Sequence, residues 1–171
     1  KMSTIPILNF TKEEIQNLIK EVEILIKLKH PSLLKFIGYS SINFHKVQKP
    51  VIITEYAFKQ TLEDIIKMKR SDIKSKELDS TKIHSIIYGI ASAMSYLHSH
   101  DVIHRDLTPS NIFFDNNLHP KITEYGFYTK LQILKGLSCQ SSSRMQNDPH
   151  YTAPEILKFE EPSKSSDVYS F

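Results

Sequence analysis

The stretch HRDLTPSN, residues 104–111, decides the fold of this chain. It follows a helical pattern and a short apolar stretch, and it carries Asp106 and Asn111. A carboxylate can accept a proton and an amide oxygen can bind a hard cation, so one tight loop holds both groups. The first three residues alone would fit an ordinary surface loop with local ion pairs. The complete pattern, H-R-D-L-x-x-x-N, favours a functional loop.

The composition is that of one globular unit. The chain has 171 residues, 40% hydrophobic and 24% charged, and a chain near this length buries roughly 70% of its unfolded surface. Lys and Arg number 22 against 19 Asp and Glu, with the signs interleaved, so we expect no nucleic-acid partner. The single cysteine, Cys139, fits a reducing, cytoplasmic compartment. No apolar stretch approaches the ~20 residues that span a bilayer, and no membrane segment is expected.

The four glycines are scattered along the chain, at positions 38, 89, 126 and 136. They form neither G-x-G-x-x-G nor a Walker A loop, which excludes a Rossmann or P-loop fold within these residues. The chain begins at Lys1 and stops at Phe171 with no helix-closing signal. We therefore expect an excerpt from a larger domain.

The first third of the chain predicts one helix followed by two strands. A capping box at Thr11 and Glu14 begins the helix, and His30-Pro31 ends it. Apolar residues recur along it at the helical period: Ile15, Leu18, Ile19, Val22, Leu25 and Ile26. Residues 33–39 and 51–56 are apolar, and the second of these is rich in β-branched side chains, so both predict strands.

The rest of the chain is mainly helical, with short strands. Thr61 and Asp64 predict the start of a short helix, and a long helix is expected over residues 80–98. Its apolar stripe consists of Ile83, Ile86, Ile87, Ile90, Ala91, Met94 and Leu97. Short strands are predicted at 102–103, 112–114 and 121–123, with a turn at 115–117. Residues 126–152 have no periodicity and are expected to form a long loop that is either functional or mobile.

From end to end the sequence resembles the interior of a eukaryotic-type protein kinase domain, closest to the Ser/Thr and tyrosine-kinase-like branches. The 104–111 stretch matches the family's catalytic loop. Residues 153–155 read APE, like the end of the activation segment, and residues 166–171 resemble the helix whose Asp braces the catalytic loop. The resemblance implies that Asp106 is the base, flanked by His104 and Arg105, and that Asn111 binds Mg²⁺.

The resemblance also implies a nucleotide site. Thr54 matches the gatekeeper position, and Glu55 and Ala57 match the hinge residues that receive the adenine of ATP. Glu21 emerges from an apolar helix patch, where a carboxylate needs a partner. In the family that partner is a strand lysine that contacts ATP, and Lys1 fits it in order and separation.

Three departures weaken the match on the phosphate side. Where the family has D-F-G, the chain has Glu124, Tyr125 and Gly126. Glu keeps a carboxylate for the metal but adds a methylene, and a displacement of about 1 Å can cost on the order of 10²-fold in rate. Thr108 stands where many Ser/Thr kinases have a lysine, and residues 147–148, Asn-Asp, replace an expected Gly-Thr.

Arg105 resembles the arginine of kinases that are switched by phosphorylation of the activation loop. Six hydroxyl side chains are candidate acceptors: Ser138, Ser141, Ser142, Ser143, Tyr151 and Thr152. These serines equally suit an ordinary polar loop. A metal-hydrolase site at His98, His100 and His104 is disfavoured, because the first two lie at a helix end and no Cys pair supports zinc.

We therefore expect an α+β, two-lobed protein kinase-like fold that is partial at both ends. Residues 1–56 would be an N-lobe remnant without its first strands. Residues 57–171 would be the C-lobe part, ending at the start of its central helix. The expected function is transfer of the ATP γ-phosphoryl group to a protein Ser, Thr or Tyr hydroxyl, although the isolated segment is expected to be inactive. The alternative is a pseudokinase that acts as a scaffold or nucleotide-sensing module.

Overall fold

A three-stranded antiparallel sheet forms the first part of the structure. The computed structural model describes residues 2–4, 22–40, 51–56, 60–70, 79–123, 125 and 149–171. Strands β1 (Met2–Thr4), β2 (Phe36–Ser40) and β3 (Val51–Thr54) have the order β1-β3-β2. Met2 pairs with Ile53, and the β2–β3 register shifts between Phe36 and Gly38. The predicted strand at 51–56 is therefore confirmed in its first four residues.

A second, smaller sheet is the hairpin of β4 (Ile112–Phe114) and β5 (Pro120–Ile122). The predicted turn is confirmed, since the Asp115 carboxylate accepts hydrogen bonds from the N–H groups of Asn117 and His119. The segment before β2 lies alongside β5, because Leu34 N–H donates to Ile122 O and Ile122 N–H donates to the carbonyl of residue 32, each at 2.8 Å. Residues 33–34, which the sequence assigned to β2, thus pair with β5 instead.

Helix α3 (Ser80–Ser99), after α1 (22–27) and α2 (Leu62–Arg70), is the longest element described. The Asp79 carboxylate caps its N-terminus by accepting from Lys82 N–H at 2.8 Å. Its buried residues are Ile86, Ile90, Ala93, Met94 and Leu97. The predicted stripe was wrong at Ile87 and Ala91, which are exposed. Successive residues of a helix are rotated by 100° about its axis, and this places Ile87 and Ala91 outside the buried face.

The two shorter helices agree with their predicted signals only in part. Thr61 and Asp64 form the expected reciprocal cap, with Thr61 N–H donating to Asp64 Oδ2 at 2.8 Å and Asp64 N–H donating to Thr61 Oγ1 at 3.2 Å. In α1, Val22 and Leu25 are buried, whereas Ile26 is half exposed, contrary to the prediction. The capping box at Thr11 and Glu14 lies outside the described residues.

The predicted strand at 102–103 is wrong. Val102 N–H closes the end of α3 by donating to Leu97 O at 3.0 Å. The backbone N–H groups of His104 and Arg105, which follow the 102–103 stretch, donate to a carboxylate rather than to a neighbouring strand. Two short helices follow near the chain end, α4 (Pro154–Leu157) and α5 (Lys164–Ser170).

One hydrophobic cluster joins several of the helices and strands described above. It includes residues from α1, β2, α2, α3 and the hairpin, with Leu97 and Ile122 fully buried. Within the described ranges, no helix has both the length and the apolar character needed to cross a bilayer. The fold is thus a mixed α+β arrangement, and the division at residues 56 and 57 stays a prediction.

Gly89 provides a test of how closely α3 packs on the hairpin. A Cβ atom there would lie 2.7 Å from Pro120 Cγ and 3.0 Å from Ser32 Oγ, whereas one at Gly38 would meet nothing within 4 Å. The proline ring cannot move aside like a flexible side chain. We expect Gly89→Ala to lower the free energy of unfolding by about 1–3 kcal/mol through overpacking, more than the helix propensity of alanine restores. Urea unfolding of both variants measures the effect, and Gly38→Ala should stay within about 0.5 kcal/mol of the parent. Equal effects of the two substitutions would contradict the packing described.

Candidate active site

Asp106 and Asn111 face each other across the loop between α3 and β4. Asn111 Nδ2 donates to the Asp106 carbonyl at 2.8 Å and to Asp106 Oδ2 at 2.9 Å. A 3₁₀ turn at Pro109–Asn111, with proline at its first position, sets the separation of the two side chains. The loop thus brings together the two residues that the sequence motif predicted as partners.

A buried carboxylate holds the start of this loop. Asp167, 2% exposed, lies in the first turn of α5, whose N-terminus is fixed by a capping box between Ser163 and Ser166. Its Oδ2 accepts from His104 N–H and its Oδ1 from Arg105 N–H, both at 2.8 Å. The bracing role that the resemblance gave to Asp167 therefore has its geometry here.

His98 completes the surroundings of that carboxylate. Its Nε2 donates to Asp167 Oδ2 at 2.8 Å, from the last turn of α3. The sequence reasoning missed this role and considered the residue only as a metal ligand or as a charge at a helix end. No local signal could have found it, because its partner lies 69 residues away.

The backbone of Arg105 shows why the brace is needed. Its φ is +74°, in the left-handed region that non-glycine residues rarely adopt. Such a conformation persists only when surrounding contacts hold it, and the bond from its N–H to Asp167 is one such contact. The backbone conformation is thus fixed at Arg105, the residue immediately before Asp106.

Arg105 lines a small cavity of about 40 Å³, together with residues that include Tyr151 and Thr152. Its Nε is buried and finds no hydrogen-bond partner within the part of the chain that the structure describes. Tyr151 and Thr152 are two of the six predicted phosphate acceptors, and the four serines lie outside the described residues. The phosphate-binding role of Arg105 stays a prediction.

His104 is fully buried and fixes the loop from the inside. Its Nδ1 accepts from Asp106 N–H at 3.2 Å, so its Nε2 carries the proton and donates to Thr123 O at 3.0 Å. Burial lowers the pKa of His104 by more than the carboxylates of Asp167 and Asp106 raise it. The neutral ring therefore links the loop to Thr123, the residue that follows β5.

The predicted hinge begins where β3 ends. Thr54 closes the strand, and Glu55 N–H donates to Lys35 O at 2.9 Å. The Glu55 carboxylate in turn accepts from Lys35 N–H at 3.0 Å and lies 3.5 Å from Lys121 Nζ on β5. The sequence reasoning missed Lys121, which ties the side chain of the hinge glutamate to the hairpin.

Several predicted site residues lie outside the described part of the chain: Lys1, Glu21, Ala57, Glu124 and Gly126. The proposed Lys1–Glu21 pair and the Glu124 metal ligand stay predictions. Tyr125, between two of these residues, is described and buried. Its hydroxyl donates to Leu34 O at 2.8 Å, and burial, more than the nearby Glu55 and Tyr96, raises the pKa of Tyr125 to about 12.

The loop offers one oxygen ligand that suits Mg²⁺. Asn111 donates both of its hydrogen bonds to Asp106 through Nδ2, so neither bond uses Asn111 Oδ1. Amide and carboxylate oxygens are the ligands that Mg²⁺ prefers. Thr123 N–H donates to Asn111 O at 3.0 Å, which brings the residue before Glu124 against Asn111. The donor chemistry therefore fits Mg²⁺, the cation that the resemblance implies.

The alternative metal site at the histidines has no support in the geometry. His98 bonds to Asp167, His104 bonds to Thr123 O, and the Nδ1 of His100 lies 2.9 Å from Tyr96 O. Among the residues described, no group of three His, Cys, Asp or Glu side chains could hold a metal ion.

Comparison with known proteins shows which family the chain resembles. The family described as "Protein tyrosine and serine/threonine kinase" matches residues 5–171. A probable serine/threonine-protein kinase of Dictyostelium discoideum is 35% identical over 161 residues, 94% of this chain and 11% of that protein. Serine/threonine-protein kinase CTR1 of Arabidopsis thaliana is 30% identical over 168 residues, 95% of this chain and 19% of that protein. Serine/threonine-protein kinase PLK4 of Xenopus tropicalis is 30% identical over 156 residues, 91% of this chain and 15% of that protein.

The family match covers nearly the whole chain. The chain therefore belongs to the protein tyrosine and serine/threonine kinase family. It spans less than a fifth of the length of each of these three relatives.

The buried neutral His104 predicts a pH dependence of stability. Its folded-state pKa lies below the ordinary 6.5, so the unfolded chain binds the proton first as the pH falls. Between pH 6.5 and the lower folded-state pKa, His104 should lower the free energy of unfolding by up to about 1.4 kcal/mol for each unit by which the pH falls. Urea unfolding from pH 8 to 5 should show that extra slope in the parent and not in His104→Phe.

Two comparisons isolate the effect. Burial, and then the charge of Lys121, also lower the pKa of His30, but this contribution is common to both proteins and cancels in their difference. His150→Phe, an exposed position, controls for the introduction of a phenylalanine. Parallel stability curves for the parent and His104→Phe below pH 6.5 would show that His104 is not the buried neutral group described.

Proposed function

We propose that this chain is the catalytic part of an ATP-dependent protein kinase that phosphorylates serine or threonine hydroxyls. One observation carries the proposal: Asp106 is hydrogen bonded to Asn111 on a loop whose entry is fixed by the buried Asp167 carboxylate. The relatives named serine/threonine-protein kinases support the choice of substrate hydroxyl. The single cysteine is consistent with an intracellular site of action.

In this proposal Asp106 is the general base. Its carboxylate orients the substrate hydroxyl and accepts its proton as the oxygen attacks the γ-phosphorus and the bond to ADP breaks. Asn111 Nδ2 holds one carboxylate oxygen at 2.9 Å, which fixes the direction in which Asp106 points. Positioning of this kind supplies most of the catalysis in phosphoryl transfer, because the protein forms no covalent intermediate.

The cation and nucleotide would be held by residues around the loop. Mg²⁺, when bound, would neutralise charge on the phosphates, with Asn111 Oδ1 and the Glu124 carboxylate as its protein ligands. Lys1, paired with Glu21, would orient the α- and β-phosphates. The adenine would lie against the backbone of Glu55 and Ala57, beside the Thr54 gatekeeper.

A pseudokinase that binds partners without transferring phosphate is the second candidate. It is favoured by Glu124, which is one methylene longer than the usual aspartate, and by the absence of a lysine at Thr108. Threonine is neutral, and in the structure the Thr108 hydroxyl lies 2.9 Å from the Ser110 hydroxyl.

Phosphate transfer by the full-length protein to a generic Ser/Thr substrate tests the proposal. We expect measurable transfer by the parent, and a loss of about 10²- to 10⁴-fold in kcat for Asp106→Asn, because the base is removed. Asp101→Asn is the matched control, since that exposed aspartate lies at φ +57°, a conformation that asparagine tolerates well. It should keep parental activity.

Glu124→Asp distinguishes the two candidate functions. If the parent transfers no phosphate and Glu124→Asp creates the activity, the chain is a pseudokinase and the catalytic proposal is wrong. If the parent is active and Asp106→Asn is equally active, the base has been misassigned.

A further inference from the structure

His30 forms hydrogen bonds through both nitrogens of its ring. Its Nδ1 lies 3.1 Å from the backbone nitrogen of Ser32, and its Nε2 lies 3.1 Å from the hydroxyl oxygen of Ser92 on α3. A backbone N–H group can only donate, so Nδ1 is the acceptor and Nε2 carries the ring proton. The contact with Ser32 therefore requires the neutral form of His30, in this one tautomer.

The bond to Nδ1 closes a short turn that leads into the segment alongside β5. Across the same turn, Leu33 N–H donates to His30 O at 3.1 Å. The carbonyl of Ser32 then accepts from Ile122 N–H at 2.8 Å. Ser32 and Ile122 are both buried, so the pairing is sheltered from water. The protonation state of His30 is thus connected, through Ser32, to the hairpin.

The groups that face the His30 ring come from α3 and from the hairpin. Besides Ser92, α3 contributes the ring of Tyr96, whose centroid lies 5.3 Å away and which packs at 4.3 Å against the ring of His100. The hairpin contributes the ammonium of Lys121. Partial burial of the ring, and then the positive charge of Lys121, lower the pKa of His30. The ring is therefore neutral near pH 7 and takes up a proton at Nδ1 only in acid.

We propose that His30 is an acid-sensitive switch that releases the 30–33 turn from the hairpin when Nδ1 takes up a proton. The new N–H group at Nδ1 faces the N–H group of Ser32, so two donors oppose each other and the turn has to open. Nε2 carries a proton in both states, so the bond to Ser92 on α3 persists. The opening is therefore confined to the Ser32 side of the ring, where it withdraws the Ser32 carbonyl from Ile122.

Two other contacts of the candidate site involve the segment that this switch releases. Lys35 N–H donates to the Glu55 carboxylate, and the Leu34 carbonyl accepts from the Tyr125 hydroxyl. Acidification is therefore expected to loosen the backbone that supports the predicted hinge before the chain unfolds as a whole. The switch requires no phosphate transfer, so it can be tested whether or not the proposed function holds.

Hydrogen exchange of the full-length protein from pH 8 to 5, corrected for the intrinsic exchange rate, tests the switch. In the open turn His30 has its ordinary pKa of 6.5, which is above its value in the closed turn. Protection at residues 32–33 should therefore fall by up to about tenfold for each pH unit below 6.5, until the pH reaches the lower pKa. Protection along α3 should stay higher than at 32–33 at every pH, because the opening is local.

His30→Asn is the matched variant without a titratable ring. Asparagine bonds through its side-chain oxygen to the N–H group two residues on, so it can replace Nδ1 as the acceptor from Ser32. It should keep parental protection at 32–33 at pH 8 and lose the fall in acid. His100→Asn is the control, since it removes the histidine on the other side of Tyr96 and leaves His30 in place. It should show the parental fall.

Four results would overturn the switch. Protection at 32–33 that does not change between pH 6.5 and 5 in the parent would show that no such release occurs. A parental fall in His30→Asn, or its loss in His100→Asn, would assign the titration to another group. Equal protection at 32–33 and along α3 at every pH would show global unfolding instead of a local release. Loss of the fall in His104→Phe would place its origin at the buried His104.

Discussion

The hydrogen bonds of the Asp167 carboxylate are the interactions on which the rest of the site depends. This carboxylate is almost completely buried, and a buried charge is tolerated only when hydrogen bonds replace its lost water. Three donors do so here: the His104 and Arg105 N–H groups and the His98 ring, all at 2.8 Å. The same hydrogen bonds also stabilise the loop, because the carboxylate holds Arg105 in its left-handed conformation. The loop that carries Asp106 therefore begins from a fixed point.

A second fixed point, the backbone of residues 32–35, receives the other parts of the site. The hairpin pairs with it through Ile122, the Glu55 side chain bonds to Lys35 N–H, and Tyr125 bonds to Leu34 O. His104 connects the two fixed points, because its ring bonds to Thr123 O directly after β5. Elements that are far apart in sequence are thus held in one arrangement by a few polar contacts and one shared hydrophobic cluster.

The sequence predicted the parts of this arrangement that are local. The motif at 104–111 identified the Asp106–Asn111 loop, and the Thr61–Asp64 cap and helix α3 followed from capping residues and apolar period. Strand 102–103 was predicted wrongly, since hydrophobic pattern cannot show that the next N–H groups serve Asp167. The roles of His98, Lys121 and the Tyr125 hydroxyl depend on partners 66 to 91 residues away. No periodicity or spacing rule contains that information.

A double-mutant cycle in phosphate transfer tests most directly whether Asp167 acts through Asp106. The account predicts that Asp167→Asn alone lowers kcat/KM, because an amide in place of the carboxylate directs a donor at the N–H groups of the loop. Once Asp106 is already asparagine, the same substitution should have little further effect, so the double variant should match Asp106→Asn within about 3-fold. Losses that multiply fully in the double variant would show that Asp167 acts independently of the loop and would contradict the account.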